Sequence, residues 1–394
     1  MSNETTIPAV FVHGLLGMGE DDKVDSMIHY WGSKEADLIG HLRSEGRTVY
    51  NPSLGPVNGA WDRCCILYAM LKGGRVDYGK VHSEKYGHAR YGKTYPGLIP
   101  DWGEDGPNRR IHIFGHSFGG PTILEFAELL RAGSEEERTA TPPDELNPLF
   151  EGGKGDWLKT VTTLSGVNNG TTYASLIPEK GMRLFSEAAL FLIAAIGNTR
   201  LTKFYDMHMQ QWGIMKDPDD IHLGYVRIPL SSVKAIHRFG QNTLDHIGFE
   251  LTVDVMHDLN ETRGVDPKVY YFARIGRRSK DDGHGHQVPT KNMCKEMKMS
   301  SYLTGFHIPK RLKQKFGLGK EWLPNDGIVN CIGQSAPLNL PHEDATDIAS
   351  CKPGKWYNMP VEDKDHMSWC GWGMTPEEFY EFYDNLLAQY DALP

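Results

Sequence analysis

Gly115-His116-Ser117-Phe118-Gly119 carries the first chemical signal in this chain, a Gly-x-Ser-x-Gly pentapeptide. A serine set in a sharp strand-to-helix turn has its Oγ lifted clear of the sheet and can act as the nucleophile of an acyl transfer. Glycines two positions to either side suit such a turn, because any side chain there would collide with it. A serine nucleophile needs a base to take its proton and an acid to orient that base. In one class of serine hydrolase these follow in the order Ser, then Asp or Glu, then His. Ser117, Asp326 and His366 obey that order, Asp326 in the turn Asn325-Asp326-Gly327 and His366 in a loop before the last predicted helix. Asp344 and His342 compete for the same two roles. Near the start, His13-Gly14-Leu15 follows an apolar run. A His-Gly loop so placed gives one backbone N–H of an oxyanion hole, and the residue after the nucleophile gives the other. The expected donors are the amides of Leu15 and Phe118.

Groups so far apart in the chain meet only if buried strands deliver them to one sheet edge. Residues 7–12, 111–114, 157–164 and 268–276 read as such strands. Helical spacing follows the serine over 121–130 and recurs in Ala60, Trp61, Cys64, Leu67, Tyr68 and Leu71, with Asn58 as the expected N-cap. The pattern is α/β, and 394 residues suit one large decorated domain, 1–394. Residues 131–148 read as a solvated connection and 375–389 as the last helix. Residues 182–196 are apolar on nearly every face, yet too few to cross a bilayer. They form either a core helix or a mobile lid over an apolar acyl site, and their place just after a strand at the catalytic edge favours the lid. Residues 197–265 read as a mostly helical insertion that includes Trp212 and Asp217-Pro218-Asp219-Asp220.

Composition excludes some partners. No apolar run approaches bilayer length, so no transmembrane segment is expected. A net charge of -9 argues against nucleic acid, which would want a basic face. The opening residues lack a charged region followed by an apolar one, so no signal peptide is read there and a cytoplasmic location stays open. The six cysteines contain no Cys-x-x-Cys pair and do not settle the compartment. His82 and His88 stand six apart in a loop-rich, aromatic stretch, 76–92, and with Asp62 could hold a zinc ion if a fourth ligand came from elsewhere. Their spacing matches no standard short zinc motif. Asp281-Asp282-Gly283-His284-Gly285-His286 reads as a polar loop, because nothing apolar frames it.

With these pieces in place the chain resembles the thermoalkalophilic bacterial lipases, zinc-containing hydrolases whose relatives include polyester hydrolases of anaerobic bacteria. The resemblance rests on Trp61-Asp62-Arg63, Val76-Asp77-Tyr78-Gly79, Gly87-His88-Ala89-Arg90, Tyr95-Pro96-Gly97-Leu98, Gln211-Trp212-Gly213, Asn325-Asp326-Gly327-Ile328-Val329-Asn330 and Asp365-His366. It implies an α/β-hydrolase fold: a central, mostly parallel sheet flanked by helices, with a zinc-binding subdomain over 57–100 and part of 200–260, and a lid over 170–215. It implies Ser117 as nucleophile, His366 as general base and Asp326 as orienting acid. The family binds a structural zinc through two Asp and two His, which implies Asp62, His82 and His88. The fourth ligand falls on a stretch similar to Glu250-Leu251-Thr252, which implies Glu250, with Asp245 as runner-up. Implied too are an extracellular location, a monomeric chain, and an ester or lipid substrate met in transient contact with lipid surfaces. The expected activity is that of a triacylglycerol lipase or esterase. The alternatives are a short-chain esterase or polyester hydrolase with a reduced or static lid, and a non-catalytic binding protein that uses 185–196 as its interaction surface. This chain departs from the family at Gly115 and Phe118, where Ala and Gln are usual. It departs again at Ser368 and Gly373-Met374, where the family places calcium-binding Glu and Asp-Pro, so calcium binding is doubtful.

Overall fold

Along the first strand Val10 and Val12 pack into one core while Ala9 and Phe11 pack into another, and all four are buried. A strand buried on both faces belongs to a parallel sheet covered by helices on each side, and the computed structural model, which describes residues 6–216, 228, 230–241 and 245–394, has that layout. Among the described residues the strands are β1 (Ala9–Val12), β2 (Val49–Tyr50), β3 (Gly74–Asp77), β4 (Tyr91–Tyr95), β5 (Ile111–His116), β6 (Leu158–Leu164), β7 (Tyr270–Arg274), β8 (Ser279–Asp281), β9 (Gln287–Pro289), β10 (His342–Asp344) and β11 (Trp356–Asn358). Seven of them form one sheet in the order β10-β11-β7-β6-β5-β1-β2, with every pairing parallel. Parallel pairing sends the loops after β1, β5, β6 and β7 to one edge, where open α/β sheets gather their chemistry.

The helices Ala60–Lys72 and Gly119–Ala132 cover one face; Leu38–Ser44 and Pro376–Asp391 cover the other. Phe11 and Phe114 stack across β1 and β5 at 4.7 Å and anchor the second core. No helix among the described residues is long and apolar enough to cross a membrane.

Three local expectations change. The helix over 60–72 takes Gly59, not Asn58, as its N-cap; Asn58 donates instead to the His208 carbonyl at 2.9 Å. Glycine cannot cap with a side chain, so Glu250, distant in sequence, supplies the acceptor for Ala60 N–H at 2.8 Å. The stretch 76–92 is not loop-rich: β3 and β4 pair as a hairpin around the helix Lys80–Tyr86. The buried Glu137 carboxylate accepts from the backbone N–H groups of Lys80, Val81 and His82, so the start of that helix is stabilised from residues no local pattern would find. Glu137 itself sits on a short helix, Glu135–Ala140, inside the stretch read as a solvated connection.

The apolar stretch 182–196 lies within the helix Glu179–Gly197. It is not buried all round. Met182, Ser186, Leu190 and Ala194, spaced by four, face inward, and Leu190 and Ala194 join a small core with Ala235, Ile236 and Phe239 of the helix Leu230–Gln241. Leu184, Phe185 and Leu192 are 70%, 66% and 63% exposed. The run Asp217-Pro218-Asp219-Asp220 lies outside the described residues.

Candidate active site and metal centre

Ser117 stands between β5 and the helix Gly119–Ala132 with φ +57°, a left-handed conformation that few side chains adopt. The flanking glycines make the turn. A Cβ on Gly115 would come within 2.3 Å of the Gly119 carbonyl oxygen, and one on Gly119 within 2.3 Å of the Val12 carbonyl oxygen. Both obstacles are backbone and cannot swing aside. Gly119→Ala is therefore expected to lower stability by about 1–3 kcal/mol, the usual range for overpacking. A urea melt matching wild type would contradict the tight turn.

His366 Nε2 lies 2.9 Å from Ser117 Oγ, and His366 Nδ1 lies 2.8 Å from Asp326 Oδ2. The other oxygen of Asp326 accepts the N–H groups of Ile328 (3.0 Å) and Val329 (2.8 Å). Burial alone would raise the Asp326 pKa, but the imidazole and these two amides together hold it below the ordinary carboxylate value. An ionised acid fixes the proton on Nδ1 and leaves the Nε2 lone pair facing the serine hydroxyl. The competing pair is excluded by place: His342 and Asp344 lie on the exposed edge strand β10.

Gly14 presses against the nucleophile so closely that a Cβ there would meet Ser117 Cβ at 2.7 Å. Leu16 N–H donates to Pro56, Gly17 N–H to Gly14, and Ser117 N–H to Leu164, whereas the amides of Leu15 and Phe118 make no backbone hydrogen bond among the described residues. The Phe118 N–H thus follows Ser117 directly, and the Leu15 N–H follows the glycine that presses on it. His13 braces the first loop. Its Nδ1 donates to the Gly14 carbonyl, and its Nε2 accepts from Leu54 N–H. Arg63, wholly buried, donates to the carbonyls of Gly55 and His13. A second buried chain runs from Gly14 N–H to Tyr30 Oη (2.7 Å), from Tyr30 to His116 Nδ1 (2.7 Å), and from His116 Nε2 to the His366 carbonyl (2.7 Å).

These buried imidazoles make the fold sensitive to acid. Burial lowers His13 well below its ordinary pKa, His116 to about 3 and His246 to about 4. All three are neutral when folded and take up protons once unfolded. Their contribution is complete above about pH 6.5 and is lost as pH falls toward the folded values, at up to about 1.4 kcal/mol per pH unit each. The melting temperature is expected to drop steeply between pH 6.5 and 5. Calorimetry showing no drop over that window would contradict their neutral burial.

A second cluster lies apart from the triad. Asp62, His82, His88 and Asp245 each turn one ligand atom inward, all within 4.8 Å of one another. His82 Nε2 is 3.6 Å from Asp62 Oδ1 and 3.2 Å from Asp245 Oδ2; His88 Nε2 is 3.9 Å and 3.8 Å from the same two oxygens. Four ligands at about 2.0–2.1 Å around one tetrahedral ion would stand about 3.3 Å apart. Of the inward atoms, Asp62 Oδ1 and His88 Nε2 are buried without a hydrogen-bond partner among the described residues, a costly arrangement that a cation would relieve. Supporting bonds aim the ligands: His88 Nδ1 donates to Ala89 O, and Gln211 Nε2 and Trp212 Nε1 donate to Asp62 Oδ2. The donor set fits a structural metal ion. The fourth member is Asp245, correcting the expectation of Glu250, whose carboxylate is spent on Ala60 N–H and whose pKa burial pushes up to about 8.

Residues 5–391 match the family model described as lipase-like, C-terminal domain. The chain belongs to this lipase-like family. It is 32% identical to Lipase 1 of Staphylococcus aureus over 96% of its own length and 31% identical to a lipase of Staphylococcus epidermidis, again over 96%. It spans about half the length of these relatives, 53% of each. Among solved structures, the Staphylococcus hyicus lipase matches with TM-score 0.82 at 27% identity over 99% of this chain and 97% of that one. EstA of Clostridium botulinum matches with TM-score 0.78 at 33% identity over 98% and 87%, and lipase 1 of Pelosinus fermentans with 0.75 at 31% over 99% and 99%.

Within the lipase-like chain, the structure brings together Ser117, Asp326 and His366 as the order of residues led one to expect, and places Asp62 with His82 and His88. What the sequence left unread is the bracing: Tyr30, His116, Gln211 and Glu137 act through contacts 86, 250, 149 and 55 residues apart in the chain. For Asp245 the only signal was a carboxylate close to the expected stretch.

Proposed function

We propose that this lipase-like chain is a carboxylic ester hydrolase of the triacylglycerol lipase or esterase type, working through an acyl-enzyme. The observation that carries the reading is the chain Ser117 Oγ, His366 Nε2, His366 Nδ1, Asp326 Oδ2, at 2.9 and 2.8 Å. His366 takes the hydroxyl proton as Ser117 Oγ attacks the ester carbonyl carbon. The Leu15 and Phe118 amides receive the oxyanion, and Asp326 stabilises the imidazolium. The intermediate collapses as His366 returns the proton to the departing alkoxide. Water then attacks the acyl-serine with His366 again as base, releasing the acid. The change from the family's usual Gln to Phe118 leaves backbone donation intact.

The metal we assign as zinc, held by Asp62, His82, His88 and Asp245. Four protein ligands leave no open position, so its part is to brace the subdomain rather than to activate water. The region 170–215 serves as the lid: the exposed Leu184, Phe185 and Leu192 on the helix Glu179–Gly197 form the face that would meet a lipid surface.

The test is hydrolysis of p-nitrophenyl esters from acetate to palmitate, with fluorophosphonate labelling beside it. Stoichiometric labelling at Ser117 and turnover reaching the long chains are expected. Turnover confined to short chains replaces the lipase by the esterase or polyester hydrolase; no turnover and no labelling would sink the enzyme reading.

A further inference from the structure

The turn that presents His366 is braced from behind by a guanidinium. Arg278 lies just beyond β7, and its backbone N–H donates to the carbonyl of Asn325 at 3.2 Å, the residue before the triad acid. Its side chain reaches the other loop: Nη1 donates to Asp365 Oδ2 (3.1 Å) and to Asn292 O (3.0 Å), and Nη2 to Asp363 O (3.1 Å). Arg278 thus touches the chain neighbours of both Asp326 and His366. Asp365 turns this contact into geometry. It is fully buried, and its Oδ1 accepts the N–H groups of Met367 and Ser368 together with the Ser368 hydroxyl, closing the turn that presents His366. Its Oδ2 accepts from Cys294 N–H at 2.8 Å and from Arg278. Among the described residues, Arg278 is the one cation paired with this carboxylate.

The same corner is where the family resemblance would look for calcium, and its residues do not fit that ion. Ser368 Oγ is spent on Asp365. A Cβ on Gly373 would find a single atom within 4 Å, Arg278 Nη1 at 3.9 Å, so a side chain there would face a guanidinium. Met374 offers only its sulfur, 3.6 Å from Lys364 Nζ. Two cations of the chain already stand in the corner, and a divalent ion beside them would be repelled.

We propose that Arg278 is a positioning residue for the reaction, its guanidinium fixing the Asp365 turn and with it His366, so that the site works without calcium. The inference rests on the triad reading above. Full-length enzyme freed of calcium is compared before and after millimolar calcium chloride, and Arg278→Met and Arg278→Lys are assayed on p-nitrophenyl butyrate. Calcium is expected to change neither kcat nor the melting temperature of the wild type. Arg278→Met is expected to lose about tenfold or more in kcat with KM within about twofold, since small misplacement of a catalytic group costs rate more than binding. Its fluorophosphonate labelling rate should fall in step while the circular dichroism spectrum stays native. Arg278→Lys keeps the charge but not the fork, and recovers only part of the rate. A wild-type kcat in Arg278→Met, or a calcium-dependent rise in wild-type kcat or melting temperature, overturns the proposal. If Arg278→Met does not fold, Arg278→Lys decides on the same readouts, an unchanged kcat again overturning it. Failure of the triad reading looks different: Ser117→Ala would then keep its turnover.

Discussion

Ser117→Ala is expected to lower kcat for ester hydrolysis by about ten-thousand-fold to a million-fold while leaving KM and the fold nearly unchanged. Among the described residues, the hydroxyl lost is the one placed to attack, 2.9 Å from His366 Nε2. What remains is orientation and the Leu15 and Phe118 amides, which give water a weak residual path. The left-handed φ of +57° is no easier for alanine than for serine, so little stability should change. A companion variant tests the imidazole. In Asp326→Asn the oxygen held by Ile328 and Val329 N–H must stay in place, because an NH2 group there would face two donors. The new NH2 then points at His366 Nδ1, which must accept, and the ring proton moves to Nε2 against the serine. That is the wrong tautomer for a base, and a loss of about ten-thousand-fold follows. Single-turnover kinetics on both variants settle the roles. Ser117→Ala with more than a hundredth of wild-type kcat would remove Ser117 as nucleophile, and a mild Asp326→Asn would shift the acid elsewhere.

How much of this could be read in the chain depends on the range of the forces involved. The serine turn is local: strand, two glycines that no Cβ can replace, then a helix, all between Ile111 and Ala132, and the structure reproduces it. The triad order was legible because the topology fixes which loops reach the sheet edge, and the exposed edge strand disposes of His342 and Asp344. The metal ligands were half legible. Asp62, His82 and His88 lie within one short stretch, but the fourth comes across 150 residues and more, where two carboxylates five apart compete. Local pattern cannot tell a ligand from a cap. Glu250 looked the better ligand by resemblance, yet the helix Ala60–Lys72 begins at a glycine and needs an outside acceptor, and Glu250 fills that need. Helicity over 80–86 was missed for the same kind of reason, its N-terminal amides being met by Glu137 from another part of the chain. Long-range capping leaves no periodic trace.

His82→Ala tests that division of labour, and its effect should fall on stability. The variant is expected to lose its metal ion and at least about 10 °C in melting temperature, since a structural site contributes its binding energy to folding. The physical cause is specific. Asp62 and Asp245 are both buried, each with one oxygen lacking a hydrogen-bond partner among the described residues. Without the ion and the His82 imidazole, two like carboxylates would be left in the interior with only His88, 3.9 and 3.8 Å away, between them. The strain would spread through the elements that the cluster joins: the helix Ala60–Lys72 through Asp62, the helix Lys80–Tyr86 through His82, and the turn of His88. Trp61, stacked on His82 at 4.8 Å, would lose a face of its packing as well. Well below the melting point kcat should stay within a few fold of wild type, because no ligand lies in the triad. Glu250→Gln is the contrasting variant. An amide oxygen can still accept Ala60 N–H, so the metal should stay bound at one per chain by elemental analysis, with no loss of melting temperature at neutral pH. Metal lost from Glu250→Gln would return the fourth place to Glu250; a His82→Ala protein that keeps its metal and its melting temperature would mean that the cluster binds no structural ion at all.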